Sequence, residues 1–350
     1  MGLTYFCYMK LEFSFIIPVY NRPNEIEELL QSFSKLNGDI PFEIVIVEDG
    51  STLTSKNVID KYESSLDISY YFKSNSGPGD SRNYGMKKAK GNYFIILDSD
   101  CLLPSNYLIE VKNSLDNDYV DCFGGPDAAH KSFTSLQKAI DFSMTSVITT
   151  GGIRGNKNSV DKFQPRSFNM GLSKKGFLDT NGFGNIHPGE DPDLSIRLWN
   201  LGYKTKLIPE AFVYHKRRIS WSKFYKQVYK FGSVRPILNL WHPSTKKVTY
   251  WFPSLFILGL IVSIILAFFK VYWCLLFYVL YFGIAFILAI FKTKSIVVAI
   301  KSLLAIIIQF FGYGYGFLKS TLVLSLSKRK PELLFPSLFF KKKLDEPYKK

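Results

Sequence analysis

Asp98 and Asp100 stand at the end of the apolar run Tyr93-Phe94-Ile95-Ile96-Leu97, separated only by Ser99. In an extended segment residues i and i+2 face the same side, so the two carboxylates can converge on one ligand. Hard carboxylate oxygens in this arrangement suit Mg2+ or Mn2+ carrying a phosphorylated substrate, because these ions keep few protein ligands and take the rest from phosphate and water. An acidic turn that caps the following helix is the other reading of an isolated pair. A second acidic cluster, Glu190-Asp191-Pro192-Asp193, precedes a stretch in which Leu194, Leu198 and Leu201 recur at helical spacing. Carboxylates there complement a helix macrodipole. Group transfer from a metal-bound diphosphate also needs a separate base for the acceptor proton. His215 ends the apolar run Ala211-Phe212-Val213-Tyr214, either as a structural residue or as a contact to metal or diphosphate.

The elements that must position these groups alternate. Phe13–Val19, Phe42–Val47, Ile68–Phe72, Tyr93–Leu97 and Tyr119–Phe123 have the length and composition of strands. Between the first two, Asn24–Leu36 places Ile26, Leu29, Leu30 and Phe33 at helical spacing. This βαβα order predicts an α/β domain with a mostly parallel sheet covered by helices. Ligands of such sheets bind beyond the carboxyl ends of the strands. Three of those ends carry polar clusters: Tyr20-Asn21-Arg22, Glu48-Asp49-Gly50-Ser51 and Asp98-Ser99-Asp100. Asn21 as a helix cap and Asp49-Gly50-Ser51 as a turn are the structural alternatives. Residues 124–170 read as irregular apart from a helix over Phe133–Ser146, and Thr149–Gly155 reads as a mobile glycine-rich binding loop.

The net charge of +15 is unevenly held: residues 1–215 carry −4 and residues 216–350 carry +19. The basic half also contains two uncharged apolar runs, Trp251–Phe269 and Val271–Phe291, each about the length a helix needs to cross a membrane. Basic segments flanking such helices are drawn to anionic headgroups and mark the cytoplasmic side. No nucleic-acid motif accompanies the charge, so nucleic acid is not an expected partner. Four scattered cysteines, one inside a membrane run, imply reduced thiols. Phe13–Val19 is too short for a signal peptide, and Met9 is an alternative start to Met1.

Ser14–Asn21 (SFIIPVYN), Glu48–Ser51 (EDGS), Asn75–Asn83 (NSGPGDSRN), Leu97–Asp100 (LDSD) and Gly189–Leu194 (GEDPDL) together resemble the family 2 glycosyltransferases of GT-A fold. The resemblance covers about residues 13–235 and implies a Rossmann-like nucleotide-binding half. It implies nucleotide-sugar binding by Pro18, Tyr20, Asn21, Asp49, Arg82, Asp98 and Asp100, with Asp49 on the base. It implies Asp98, Asp100 and His215 around a Mg2+ or Mn2+ ion. Asp191 is the implied catalytic base, with Glu190 as substitute. The Gln-x-x-Arg-Trp motif of processive synthases is missing, which points to a single transfer per encounter. Polyprenyl-phosphate sugar synthases usually continue the D-x-D with Leu-Gln, whereas Cys101-Leu102-Leu103-Pro104 follows here.

The expected partners are therefore a nucleotide-diphosphate sugar, a lipid-linked or glycan acceptor, and membrane lipids. Sugar transfer to a polyprenyl phosphate and an inactive binding protein on the same fold are the alternatives. The expected division is an extension (1–12), a catalytic domain (13–218), an amphipathic interfacial connector (219–250), a membrane hairpin (251–294), a third apolar helix (295–318) and a basic tail (319–350). A catalytic domain and a basic tail that both face the cytoplasm require an even number of crossings. Two spans are thus expected, with 295–318 interfacial or re-entrant and a transmembrane course for it as the alternative, in an integral membrane protein whose site faces the cytoplasm, at the inner membrane if bacterial.

Overall fold

The computed structural model describes residues 10–128, 133–150, 163–215 and 220–340, and only the backbone of Ala128 and His215. Met9, most of the glycine-rich loop and Lys341–Lys343 lie outside the described residues. The first half alternates as expected: β1 (Phe13–Val19), α1 (Pro23–Phe33), β2 (Phe42–Asp49), α2 (Lys56–Ile59), β3 (Ile68–Lys73), α3 (Pro78–Lys88) and β4 (Tyr93–Leu97). There follow β5 (Cys101–Leu102), α4 (Tyr107–Asn117), β6 (Cys122–Gly124), β7 (Asp127–Ala128), α5 (Ser135–Thr145), α6 (Val147–Thr150) and β8 (Asn169–Ser173). The domain closes with α7 (Lys174–Thr180), α8 (Glu190–Asn200), β9 (Thr205–Leu207) and β10 (Val213–His215).

Among the described residues the main sheet has seven strands in the order β3-β2-β1-β4-β8-β6-β9. Only β8 runs against its neighbours, β4 and β6; the other adjacent pairs are parallel. Alternate side chains of the central strands fill two cores. Phe15, Ile17, Ile44, Ile46, Ile95 and Leu97 pack with Ile26, Leu29, Leu30 and Phe33 of α1. On the opposite face Ile16, Val45, Val47, Phe94 and Ile96 pack with Met86 of α3 and Leu194 and Leu198 of α8. Each such fully buried side chain contributes about 1.5–3 kcal/mol, so the strand ends project from a well-anchored core.

The chain leaves β1 through α1 on one face and enters β4 from α3 on the other. The strand order reverses between β1, which continues to β2 and β3, and β4, which borders β8, and such a switch point is where these sheets bind ligands. Pairing of β1 with β4 stops at Ile16 and Ile96, while β1 continues to Val19 along β2. Pro18, which has no N–H to donate, occupies that stretch of β1 without a β4 partner.

Strand β8 begins at the end of the segment expected to be irregular and runs beyond it, and the expected strand over Tyr119–Phe123 begins only at Cys122. In β8, Gly171 lies under the Phe123 ring, where a Cβ would overlap it. Buried Asn169 accepts a hydrogen bond from the Tyr107 hydroxyl at 2.6 Å and donates to the Ala211 carbonyl at 2.8 Å. A small sheet, β5-β10-β7, sets the His215 backbone opposite Cys101, next to Asp100.

Beyond the domain lie α9 (Trp221–Trp241), α10 (Phe252–Phe268), α11 (Trp273–Thr293), α12 (Ile296–Leu326) and α13 (Pro331–Leu334). Among the described residues three stretches are long and apolar enough to cross a membrane: Val248–Phe268, Trp273–Thr293 and Ile296–Leu326. The last is one continuous helix, so the re-entrant form expected as an option for 295–318 does not describe it. The apolar stripe of α9 is covered: Phe224 and Val228 pack with Ala305 of α12 and with Ile140 and Met144 of α5. Backbones of α9 and α12 approach closely because a Cβ at Gly232 would overlap the Tyr313 carbonyl, and one at Gly316 that of Tyr229. Near its start α12 meets the domain through Lys301, whose Nζ donates to Ser135 Oγ at 2.6 Å. Near its end Leu324 packs against the cluster of Ile186, Val234, Ile237 and Leu238.

Candidate active site

The loops after β1 and β2 are stitched together by Asn21. Its backbone lies in the left-handed region, with φ 54°, which Asn tolerates better than most residues. Its N–H donates to Ser51 Oγ at 2.7 Å, and its Oδ1 accepts from Thr52 N and Leu53 N, both at 2.9 Å. Tyr20 beside it is exposed. Asp49, buried at the end of β2, accepts from Lys73 Nζ at 2.7 Å and Ser76 N at 3.0 Å through Oδ1, and from Gly77 N at 2.9 Å through Oδ2. The Asp49 carboxylate thereby fixes the start of α3, the helix that carries Arg82.

Arg82 joins the two acidic motifs. Its guanidinium donates to Asp98 at 2.8 Å and to Glu190 at 3.4 Å, and lies 5.4 Å from the Phe183 ring centre. The Arg82 side chain is 5% exposed, against 7% for Glu190 and 33% for Asp98. Asp100 is held separately, by Arg22 at 2.5 Å. The D-x-D carboxylates past the end of β4 are thus each paired with an arginine, Asp100 with Arg22 before α1 and Asp98 with Arg82 on α3.

The acidic pair at the N-terminus of α8 is differentiated by its surroundings. Burial works against the Glu190 carboxylate, but His187, whose Nδ1 lies 2.9 Å from Oε1, and Arg82 together hold it below the usual carboxylate range. Burial and the adjacent Glu190 charge push Asp191 above that range, against the opposing pull of Arg82 and Arg166. Asp191 Oδ2 accepts from Ser167 N at 3.2 Å, and the buried Oδ1 has no hydrogen-bond partner among the described residues. Neighbouring carboxyls with pKa values pushed apart are a mark of divided acid–base roles. Asp193, the third member of the cluster, is structural: it pairs with Arg197 at 2.8 Å and with His242 at 2.9 Å, tying α8 to the end of α9.

The structure therefore gathers Asp98, Arg82, Glu190 and Asp191 into one network, with Asp100 and Arg22 beside it and Asp49 at the head of the same helix. The His215 side chain lies outside the described residues; its backbone sits beside the D-x-D loop. Among the described residues no group of three His, Cys, Asp or Glu side chains converges as a metal cage. Sequence reasoning did not single out the Arg22–Asp100 and His187–Glu190 pairings. The former had a signal, because Arg22 stands in the polar cluster after β1.

Residues 14–176 match the family model described as glycosyl transferase family 2. An uncharacterized glycosyltransferase of Rickettsia bellii is 36% identical over 144 residues, 41% of this chain and 19% of that protein. The poly(ribitol-phosphate) beta-N-acetylglucosaminyltransferase TarS of Staphylococcus aureus is 34% identical over 116 residues, 32% of this chain and 20% of that protein. The chain thus spans about a fifth of the length of these relatives. Among solved structures, a mannosyltransferase from Pyrobaculum calidifontis superposes with a TM-score of 0.55 at 14% identity, covering 92% of this chain and 89% of that one. That likeness extends the shared fold beyond the matched segment. Residues 14–176 of this chain thus carry a glycosyl transferase family 2 match, within a fold of GT-A type.

Proposed function

We propose that this protein is a membrane-anchored inverting glycosyltransferase. It moves a sugar from a nucleotide-diphosphate donor to a hydroxyl of a glycan acceptor, one carried on a lipid, in polysaccharide or glycolipid synthesis. The observation that carries this reading is the buried Asp191 Oδ1: a carboxylate oxygen with no hydrogen-bond partner among the described residues and a raised pKa, one residue from the Arg82 network. A general base needs an oxygen free to take a proton and a pKa near the working pH. Glu190 stays charged and holds Arg82, which in turn orients Asp98 toward the donor.

The donor occupies the crevice between β1 and β4, with its nucleoside toward Asp49 and Tyr20 and its diphosphate toward Asp98 and Asp100. The acceptor hydroxyl attacks the anomeric carbon from the face opposite the diphosphate while Asp191 takes its proton, and the bond to the diphosphate breaks. Two carboxylates at one strand end fit Mg2+ or Mn2+, which draws its remaining ligands from phosphate and water. Asp98 and Asp100 would hold the ion, with His215 as a third ligand, and its charge would offset that growing on the leaving diphosphate. Arg22 is placed to release Asp100 to that ion. In support, the Pyrobaculum structure contains GDP-Man and Mn2+, and the TarS name describes transfer to poly(ribitol-phosphate).

Contacts at both ends of α12 support one membrane arrangement. Lys301 reaches Ser135, and Leu324 reaches the Ile186 cluster, so both ends lie at the catalytic domain. A helix of 31 residues is about 46 Å long and would carry one end to the far side if it crossed. We therefore assign the crossings to α10 and α11 and place α12 along the cytoplasmic surface, with α9 packed on it. Consumption of a panel of nucleotide-sugars by the purified full chain, with and without Mn2+, tests the reading. Donor turnover in the presence of metal is expected; nucleotide binding without turnover, across donors and membrane extracts, would leave the binding-protein alternative. A product labile to mild acid would identify a polyprenyl phosphate as acceptor instead.

A further inference from the structure

After α12 and α13 the chain returns to the cleft. Ile186 and Phe339 form an antiparallel bridge, flanked by hydrogen bonds from His187 N to the Leu338 carbonyl at 2.8 Å and from Phe340 N to the Asn185 carbonyl at 3.1 Å. The root of this strap is core: Leu338 is buried with Ile186, Val234, Ile237 and Leu238, and Phe339 meets Trp241 edge-on with ring centres 6.0 Å apart. Beyond the root, half-buried Phe340 bridges two parts of the site. On one side it covers Gly77 so closely that a Cβ there would overlap its ring, and the Gly77 N–H is the donor to Asp49 Oδ2. On the other side its ring centre lies 5.6 Å from that of His187, the partner of Glu190.

We propose that Phe340 is a donor-positioning residue: its ring is the apolar wall against which the nucleoside of the donor packs. The inference rests on the reading of the crevice as a nucleotide-sugar site. The hydrogen-bond partners of Asp49, namely Lys73, Ser76 and the Gly77 N–H, can bond a base edge but offer no flat face, so a stacking surface must come from rings such as exposed Tyr20 and Phe340. A nucleobase has two apolar faces, and stacking on an aromatic side chain is a large, sequence-tolerant part of its binding free energy. Phe340 supplies such a ring at the place where the Asp49 loop and the catalytic loop meet. Its position 240 residues from Asp100 in sequence makes the donor pocket depend on the segment that follows the membrane-associated helices.

The test uses the full chain in detergent and its Phe340→Ala and Phe340→Tyr variants, with UDP and GDP as probes in calorimetry with Mn2+, and donor kinetics alongside. Phe340→Ala is expected to weaken nucleotide binding and raise donor KM by about tenfold. Turnover at saturating donor should stay within twofold, the melting temperature should be unchanged, and Phe340→Tyr should restore binding. Unchanged or tighter nucleotide binding in Phe340→Ala would overturn the proposal, tighter binding meaning that the ring obstructs the crevice. A wild-type chain that binds neither nucleotide would overturn the reading of the crevice itself.

Discussion

Arg82 is the residue on which the two acidic motifs depend, and replacing it with methionine keeps the chain length while removing the charge. The guanidinium is 5% exposed and bonds Glu190, 7% exposed, and Asp98, 33% exposed. Removing one partner of a buried ion pair costs about 3–5 kcal/mol because the other charge is left uncompensated. Glu190 keeps His187 at 2.9 Å, and Asp98 is partly solvated, so the expected cost is at the lower end, about 3 kcal/mol. For a domain of this size that corresponds to a fall of about 6–12 °C in the melting temperature. Tryptophan fluorescence of the detergent-solubilised chain reads it. The penalty comes from a stranded charge, so Arg82→Met combined with Glu190→Gln should recover much of the loss, whereas independent effects would add. A shift under about 2 °C, or strict additivity in the double variant, would refute the placement of Arg82 as the bridge.

Asp191→Asn should lower turnover by about 10²–10⁴ while donor affinity stays within about threefold; equal loss of both would make the residue structural. Because the Asp191 carboxyl is held above the usual range, activity should fall as pH drops through that raised pKa. Its protonated form favours the fold, so its contribution to stability is full below the ordinary carboxylate pKa and is lost as pH rises through the raised one. Melting curves across pH should show this slope flattened in Asp191→Asn. Glu190→Gln removes the like charge beside Asp191 and should move the acidic limb of the activity profile to lower pH; a limb that stays in place would refute the coupling. Arg22→Gln frees Asp100 from its cation, so half-saturation by Mn2+ should occur at a concentration several-fold lower, read from metal titrations of donor turnover.

The half of the fold nearest the site was legible because its strands are continuous apolar runs with abrupt ends. The bounds of β1 and β4 were read directly, and Asp98 and Asp100 stand immediately past Leu97. Strand β8 was not legible: Asn-Met-Gly-Leu-Ser carries no strand pattern. Its polar and small residues are explained only by distant partners, Tyr107 and Ala211 for Asn169 and the Phe123 ring for Gly171. Within the acidic cluster on α8 only the resemblance set Asp191 apart as base from Glu190; composition and spacing did not. The packing separates the cluster into a charged Glu190, a raised Asp191 and an Asp193 committed to Arg197 and His242. Contacts such as Arg82 with Glu190, or Phe340 with Gly77, join segments so far apart that no local spacing encodes them. The apolar character of α12 was plain, but its course along the domain depends on glycines whose purpose appears only against α9.

The anomeric configuration of the transferred sugar, read by proton NMR of the isolated product, tests the proposed chemistry most directly. One in-line displacement, with Asp191 taking the acceptor proton, predicts a configuration opposite to that of the donor. A product that retains the configuration of the donor would contradict it.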